Sequence, residues 1–267
     1  MWMRTTCNLE FQFETPTPLI FMLRARSSEH QWIARESYTL IPHVPVQEYT
    51  DIFGNLCQRL IAPAGEFNVR TSAEVITSDS LEQAPGGGFV DIMDLPDKTM
   101  MYLLPSRYCE SERFGNMARE IVAGLPPGYD QVARITAWIR NNIRYAPGTS
   151  AFPISAVEVN LQGMGVCRDL SHLGIALCRA LSIPTRMVVG YLHGLEPMDM
   201  HSWFEAYVSK HWYTFDPSGN TLDDSGRLAV AYGRDAADVA IYTQFGPPAR
   251  FTDMEVAVQR LETEPPG

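Results

Sequence analysis

Residues 165–192 read GVCRDLSHLGIALCRALSIPTRMVVGYL, and the fold turns on how this stretch is read. A helix is read over 167–181, closed before Ile183-Pro184, and a strand-like run RMVVGYL follows. Cys167 follows Gly163-Met164-Gly165-Val166 and opens the helix. Its sulfur then lies beside the positive end of the helix dipole and near backbone N–H groups that have no partner within the helix. A cysteine so placed is a candidate nucleophile, and the same N–H groups can hold an oxyanion. The plainer reading of the stretch is a turn glycine followed by a packing cysteine at a helix start.

The chain has five cysteines, at 7, 57, 109, 167 and 178, with no C-x-x-C pair. The odd count and wide scatter argue against a disulfide framework or a zinc ribbon, and for free thiols in a reducing compartment, the cytoplasm. A nucleophilic cysteine needs a base, and six histidines are available. His172 is five residues along the helix, about 140° around from Cys167, which suits a core or supporting role. His201 opens HSWFEAYV, where His201, Trp203, Glu205 and Tyr207 share one face of a strand.

The next strand, WYTFDP, is close enough in sequence to form a hairpin with it. If Ser209 and Lys210 make a two-residue turn, Asp216 lies opposite Trp203 and diagonal to His201. A four-residue loop sets Asp216 opposite His201 itself, and a three-residue loop puts the two on opposite faces. An acid beside the imidazole would fix its tautomer and support the imidazolium.

Upstream, YDQVARITAWIRNNIRY carries Val132, Ile135, Trp138, Ile139 and Ile143 at helical spacing, ended by Pro147-Gly148. Farther back, from residue 6 to about 77, the pattern is short and β-like. Phe53-Gly54-Asn55 is a hairpin signal between two strand runs. An antiparallel β-sandwich is expected there, over residues 1–95, followed by an α+β unit over 96–267 in which helices precede strands. The connector 84–99 is expected to be a flexible link, since Gly86-Gly87-Gly88 lacks the Lys-Ser/Thr of a phosphate loop. Strands are expected again in ADVAIYTQF (237–245) and MEVAVQRL (254–261).

Composition sets the outer limits. Twenty-one basic residues against 31 acidic ones give a net charge of −10, which disfavours a nucleic-acid partner. Apolar residues at 45% and charged residues at 19% of the 267 fit a globular enzyme, with no membrane-spanning run. The amino-terminal MWMRTTCNLEFQF alternates instead of presenting a signal peptide, so a cytoplasmic protein is expected.

RITAWIRNNIRY, GVCRDLSHLGIALCRALSIPTRMVVGYL, HSWFEAYV, WYTFDPSGN and YGRDAADVA together resemble the transglutaminase-like superfamily, in particular its bacterial proteins with a β-rich amino-terminal region. DIFGN resembles that region more briefly. The resemblance implies a papain-like core, helices packed on an antiparallel sheet, with a triad carried here by Cys167, His201 and Asp216. It implies supporting roles for Arg168, Asp169 and His172, an aromatic screen at Trp203, and a buried ion pair at Arg234 and Asp235. Gln162 is a candidate oxyanion donor outside the catalytic set. The expected reaction is acyl transfer from a peptide or protein amide through a thioester, without metal or cofactor, ending in hydrolysis more readily than in amine crosslinking. The rival readings are a non-catalytic peptide-binding scaffold and, more remotely, a metal hydrolase using His193 and His201, for which the ligand spacing is missing.

Overall fold

The computed structural model describes residues 1–149, 152–219, 226–247 and 250–262, the side chains of 250–252 excepted. The amino-terminal part holds β1 (Trp2–Phe13), β2 (Thr17–Arg24), β3 (Gln31–Ile41), β4 (Gln47–Thr50), β5 (Leu56–Ala62) and β6 (Gly65–Thr77). Alternate residues of β1 are buried, as one covered sheet face requires. Leu9, Phe11, Phe13 and Phe67 of one sheet share a core with Leu19, Phe21 and Leu60 of another, the two layers of a β-sandwich. The loop after β4 turns where expected: Gly54 takes φ +84°, and Asp51 accepts the N–H groups of Phe53 and Asn55.

The second part comprises α1 (Gly115–Ile121), α2 (Tyr129–Asn142), β7 (Arg144–Tyr145), α3 (Ala156–Gln162), β8 (Met164–Gly165), α4 (Cys167–Ala180), β9 (Thr185–Leu192), β10 (His201–Val208), β11 (His211–Phe215), β12 (Arg227–Gly233), β13 (Tyr242–Gln244) and β14 (Arg250–Arg260). An antiparallel sheet runs β11-β10-β9-β12. Helix α4 lies against its inner face, where Leu170, Leu173 and Leu177 share a core with Phe204, Phe215 and Met187, and with Ile135 and Ile139 of α2. The architecture is α+β, with helices on an antiparallel sheet preceded by the β-sandwich.

The last strands return to the first. β13 pairs with β2, and β14 pairs with β1 along most of its length, so both sandwich sheets are completed from the far end of the chain.

Two expectations are corrected. The glycine tract is a packed seam instead of a flexible link. Tyr129 N–H donates to Gly87 O at 2.9 Å, Ser209 N–H donates to Gly88 O at 2.9 Å, and Gly88 bridges Gly128. A Cβ on Gly128 would stand 2.1 Å from Gly87 O, so glycine is there to let two backbones meet. Strand structure in 237–245 is confined to Tyr242–Gln244. Before it, Asp235 accepts from the Ala237 N–H and Asp238 from the Arg234 N–H, and these side-chain bonds draw the chain into a turn.

Candidate active site

Cys167 is the first residue of α4. Asp169, at the third helical position, turns back to accept the Val166 N–H at 3.2 Å, which ties down the chain just before the cysteine. The parallel pair β7–β8 and the bond from Ala146 N–H to Gly165 O fix the approach from the other side. Cys167 is partly exposed while the other four cysteines are buried, and all five are unpaired. Burial holds Cys7, Cys57, Cys109 and Cys178 above the ordinary thiol range.

The β10–β11 hairpin takes the two-residue form. Ser209 and Lys210 have φ of 47° and 66°, the positive-φ pair of a tight hairpin turn, and Phe204 pairs with Phe215 and Val208 with His211. Asp216, one residue beyond the ladder, is therefore near His201, and His201 Nε2 donates to Asp216 Oδ2 at 2.7 Å. Both are buried, His201 fully and Asp216 at 4% exposure. Nδ1 of His201 has no hydrogen-bond partner, and Cys167 lies near enough to act on the imidazole. Burial works against the imidazolium, yet the bond to Asp216 and the nearness of Cys167 outweigh it and raise His201 to about 9. Asp216 is held well below the carboxylate range: burial opposes its charge, and His201, Arg227 and Ser218 overcome that opposition.

Asp216 is gripped on all sides. Ser218 donates its N–H and Oγ–H to Oδ1 at 3.0 and 2.6 Å, and Arg227 donates to Oδ2 at 3.0 Å. Arg140 of α2 donates to its backbone carbonyl. The Ser218 contacts are legible in Asp-Pro-Ser, a sequence that favours an Asx-turn. Arg140 and Arg227 carry no local signal, because each arrives from a distant element.

The sulfur opens onto a cleft of about 460 Å³ whose walls include Tyr145, Met187, Leu195, Asp199, Val239 and Ile241. A thiol and a buried histidine lining this cleft, with a held carboxylate behind the histidine, form an arrangement able to carry acyl transfer.

Over its whole length the chain is similar to solved and curated proteins. It is 28% identical over 281 residues to an uncharacterised protein of Mycobacterium leprae, covering 97% of this chain and 98% of that one. It is 35% identical to a crystal structure described as a candidate cysteine protease of Cytophaga hutchinsonii, covering 99% of this chain and 92% of that one with a TM-score of 0.87. Residues 115–217 match the transglutaminase-like superfamily. The chain belongs to that superfamily.

Within this superfamily member, Cys167, His201 and Asp216 all lie inside the matched span. His172 is apart from the sulfur: its Nε2 accepts the Ala236 N–H at 3.2 Å, which leaves Nδ1 to donate to Ile154 O at 2.9 Å, and its ring stacks on Tyr108. It latches the 235–237 turn to α4, and burial lowers its pKa. Arg168 donates to the buried Asp169 carboxylate at 3.0 Å. Trp203 is 2% exposed, and its ring centre is 6.2 Å from that of His201. The expected Arg234–Asp235 ion pair is corrected: Arg234 pairs with Asp238 at 2.8 Å, while Asp235 spends its oxygens on the N–H groups of Tyr108 and Ala237. Gln162 donates its amide to Met164 O and is exposed. Among the described residues no cluster of metal-ligating side chains occurs around His193 and His201, and no helix is long and apolar enough to cross a membrane.

Proposed function

We propose that the protein is a thiol-dependent acyl-transfer enzyme that cleaves peptide or isopeptide amide bonds, a cysteine protease or amidase. One observation supports the reading: His201 commits Nε2 to Asp216 and keeps Nδ1 without a hydrogen-bond partner beside Cys167, which leaves one ring nitrogen to pass a proton between sulfur and substrate.

The Cys167 thiolate attacks the amide carbonyl, a carbon–sulfur bond forms, and the oxyanion is met by the Cys167 N–H at the helix start. The His201 imidazolium gives its Nδ1 proton to the departing amine, the carbon–nitrogen bond breaks, and a thioester remains. His201 then takes a proton from water as the hydroxyl adds to the thioester. The carbon–sulfur bond breaks, the acid leaves, and the thiolate–imidazolium pair is restored. Asp216 keeps one tautomer throughout. The substrate is a peptide or protein segment that can enter the cleft, and the five unpaired cysteines fit a reducing compartment such as the cytoplasm.

The test is mass spectrometry of a peptide-amide library treated with wild type and Cys167→Ala, with and without a primary amine. Hydrolysed products that vanish in the variant support the reading. Amine adducts in their place replace hydrolysis with crosslinking, and turnover that survives in Cys167→Ala removes the thiol mechanism.

A further inference from the structure

Oδ2 of Asp216 accepts two cationic donors at once, His201 Nε2 at 2.7 Å and Arg227 Nη2 at 3.0 Å. The Arg227 side chain is 7% exposed, and its guanidinium carbon lies 6.0 Å from the Trp203 ring centre. Arg227 is the first residue of β12, the edge strand of its sheet. Such an edge leaves backbone groups open, and here the amino-terminal sandwich closes it with side-chain amides. Gln31 accepts the Ala229 N–H and donates to Ala229 O, both at 2.8 Å. Asn55 accepts the Tyr232 N–H at 2.8 Å and donates to Tyr232 O at 2.7 Å.

We propose that Arg227 is a positioning residue that tunes the His201 imidazolium through their shared carboxylate, and that the amino-terminal sandwich holds it there by pinning β12. The proposal rests on the Cys167–His201–Asp216 reading. Two cations on one carboxylate oxygen each weaken the other's hold. Arg227 is charged at every working pH, so it keeps Asp216 ionised and draws part of its attraction away from the imidazolium. Without it, Asp216 would grip the imidazolium alone, and His201 would surrender its proton to a leaving amine less readily. Among the described residues, the other charged or titratable groups around the pair are Cys167 of α4, Asp199 ahead of β10, Tyr145 of β7 and Arg140 of α2. None of them is itself altered by a substitution at Arg227 or Gln31, so the comparison addresses β12.

The test is a ring-nitrogen NMR titration of His201 in the full chain, with its resonance assigned by loss in His201→Asn. Wild type is expected to titrate well above the ordinary imidazole value, at about 9. Arg227→Gln is expected to raise that value by about one unit, the ordinary effect of removing one nearby like charge, while Arg227→Lys keeps the charge and stays within about half of that shift. Gln31→Ala, which frees the backbone two residues along β12, moves it upward by less. An unchanged or lowered value in Arg227→Gln, or a Lys variant that behaves like the Gln variant, overturns the tuning. An unmoved Gln31→Ala overturns the part given to the sandwich. Should Arg227→Gln not fold, Arg227→Lys and Gln31→Ala carry the test. Iodoacetamide labelling of the same samples separates the two readings: an unreactive Cys167 beside the expected His201 shifts removes the acyl-transfer reading and leaves the tuning standing.

Discussion

Asp216→Asn removes one charge from the buried site and little volume. In the folded protein His201 is raised from its ordinary 6.5 to about 9 although burial opposes it, so its partners more than offset the cost of a buried cation. That rise is worth roughly 3 kcal/mol at about 1.4 kcal/mol per unit. The imidazolium contributes this stability in full below about pH 6.5 and loses it as pH rises through about 9. With asparagine the hydrogen-bond acceptor remains but the charge does not, and the His201 value is expected to fall by about two units. At pH 8 the imidazolium fraction then drops about tenfold, from about nine-tenths to about one-tenth. The assay is the rate of iodoacetamide alkylation of Cys167, followed by peptide mass spectrometry from pH 4 to 10. At pH 8 the variant should react about tenfold more slowly than wild type. Wild-type stability in urea should decline between pH 6.5 and 9, and the variant's should not. A variant that alkylates at pH 8 within threefold of wild type would refute the assignment of Asp216 as the group that holds the imidazolium.

His172→Ala strips the Ala236 N–H and the Ile154 carbonyl of buried partners and should cost about 2–4 kcal/mol in chemical denaturation. Because burial lowers the His172 pKa, the wild-type contribution of this residue is present above about pH 6.5 and lost as pH falls below it, opposite in sense to His201. Asn55→Ala opens both backbone groups of Tyr232 at the edge of the sheet and should cost about 1–3 kcal/mol, read by urea midpoint. Gly128→Ala forces a methyl against Gly87 O from a backbone at φ +132° and should destabilise by at least about 2 kcal/mol, whereas a flexible link would tolerate it.

Elements whose cause is local were readable in the chain: the start of α4 at Cys167 behind its glycine turn, the alternation of β1, and the Ser209-Lys210 hairpin that brings Asp216 to His201. The open alternatives of loop length closed on the form that two residues with positive φ permit. What escaped depends on partners far away in sequence. Gly86-Gly87-Gly88 reads as a link until Gly128 and Ser209 are seen against it. Asp235 reads as half of an ion pair until the N–H groups of Tyr108 and Ala237 take its oxygens. Arg227 has no pattern of its own, since its meaning lies in a strand that arrives beside Asp216 from the other end of the sheet.

The return of β14 onto β1 bears on how the molecule forms. Met3 pairs with Arg260, and Leu261 N–H donates to Trp2 O at 2.9 Å, so the outermost ladder of the first sheet joins segments separated by nearly the whole chain. Closing so long a loop costs entropy before any contact repays it, and folding rates fall as contacts become less local. Until that ladder zips, β1 has a bare edge able to recruit a strand from another molecule. Self-association during refolding is therefore expected to depend on β14, although Cys167 lies more than eighty residues earlier.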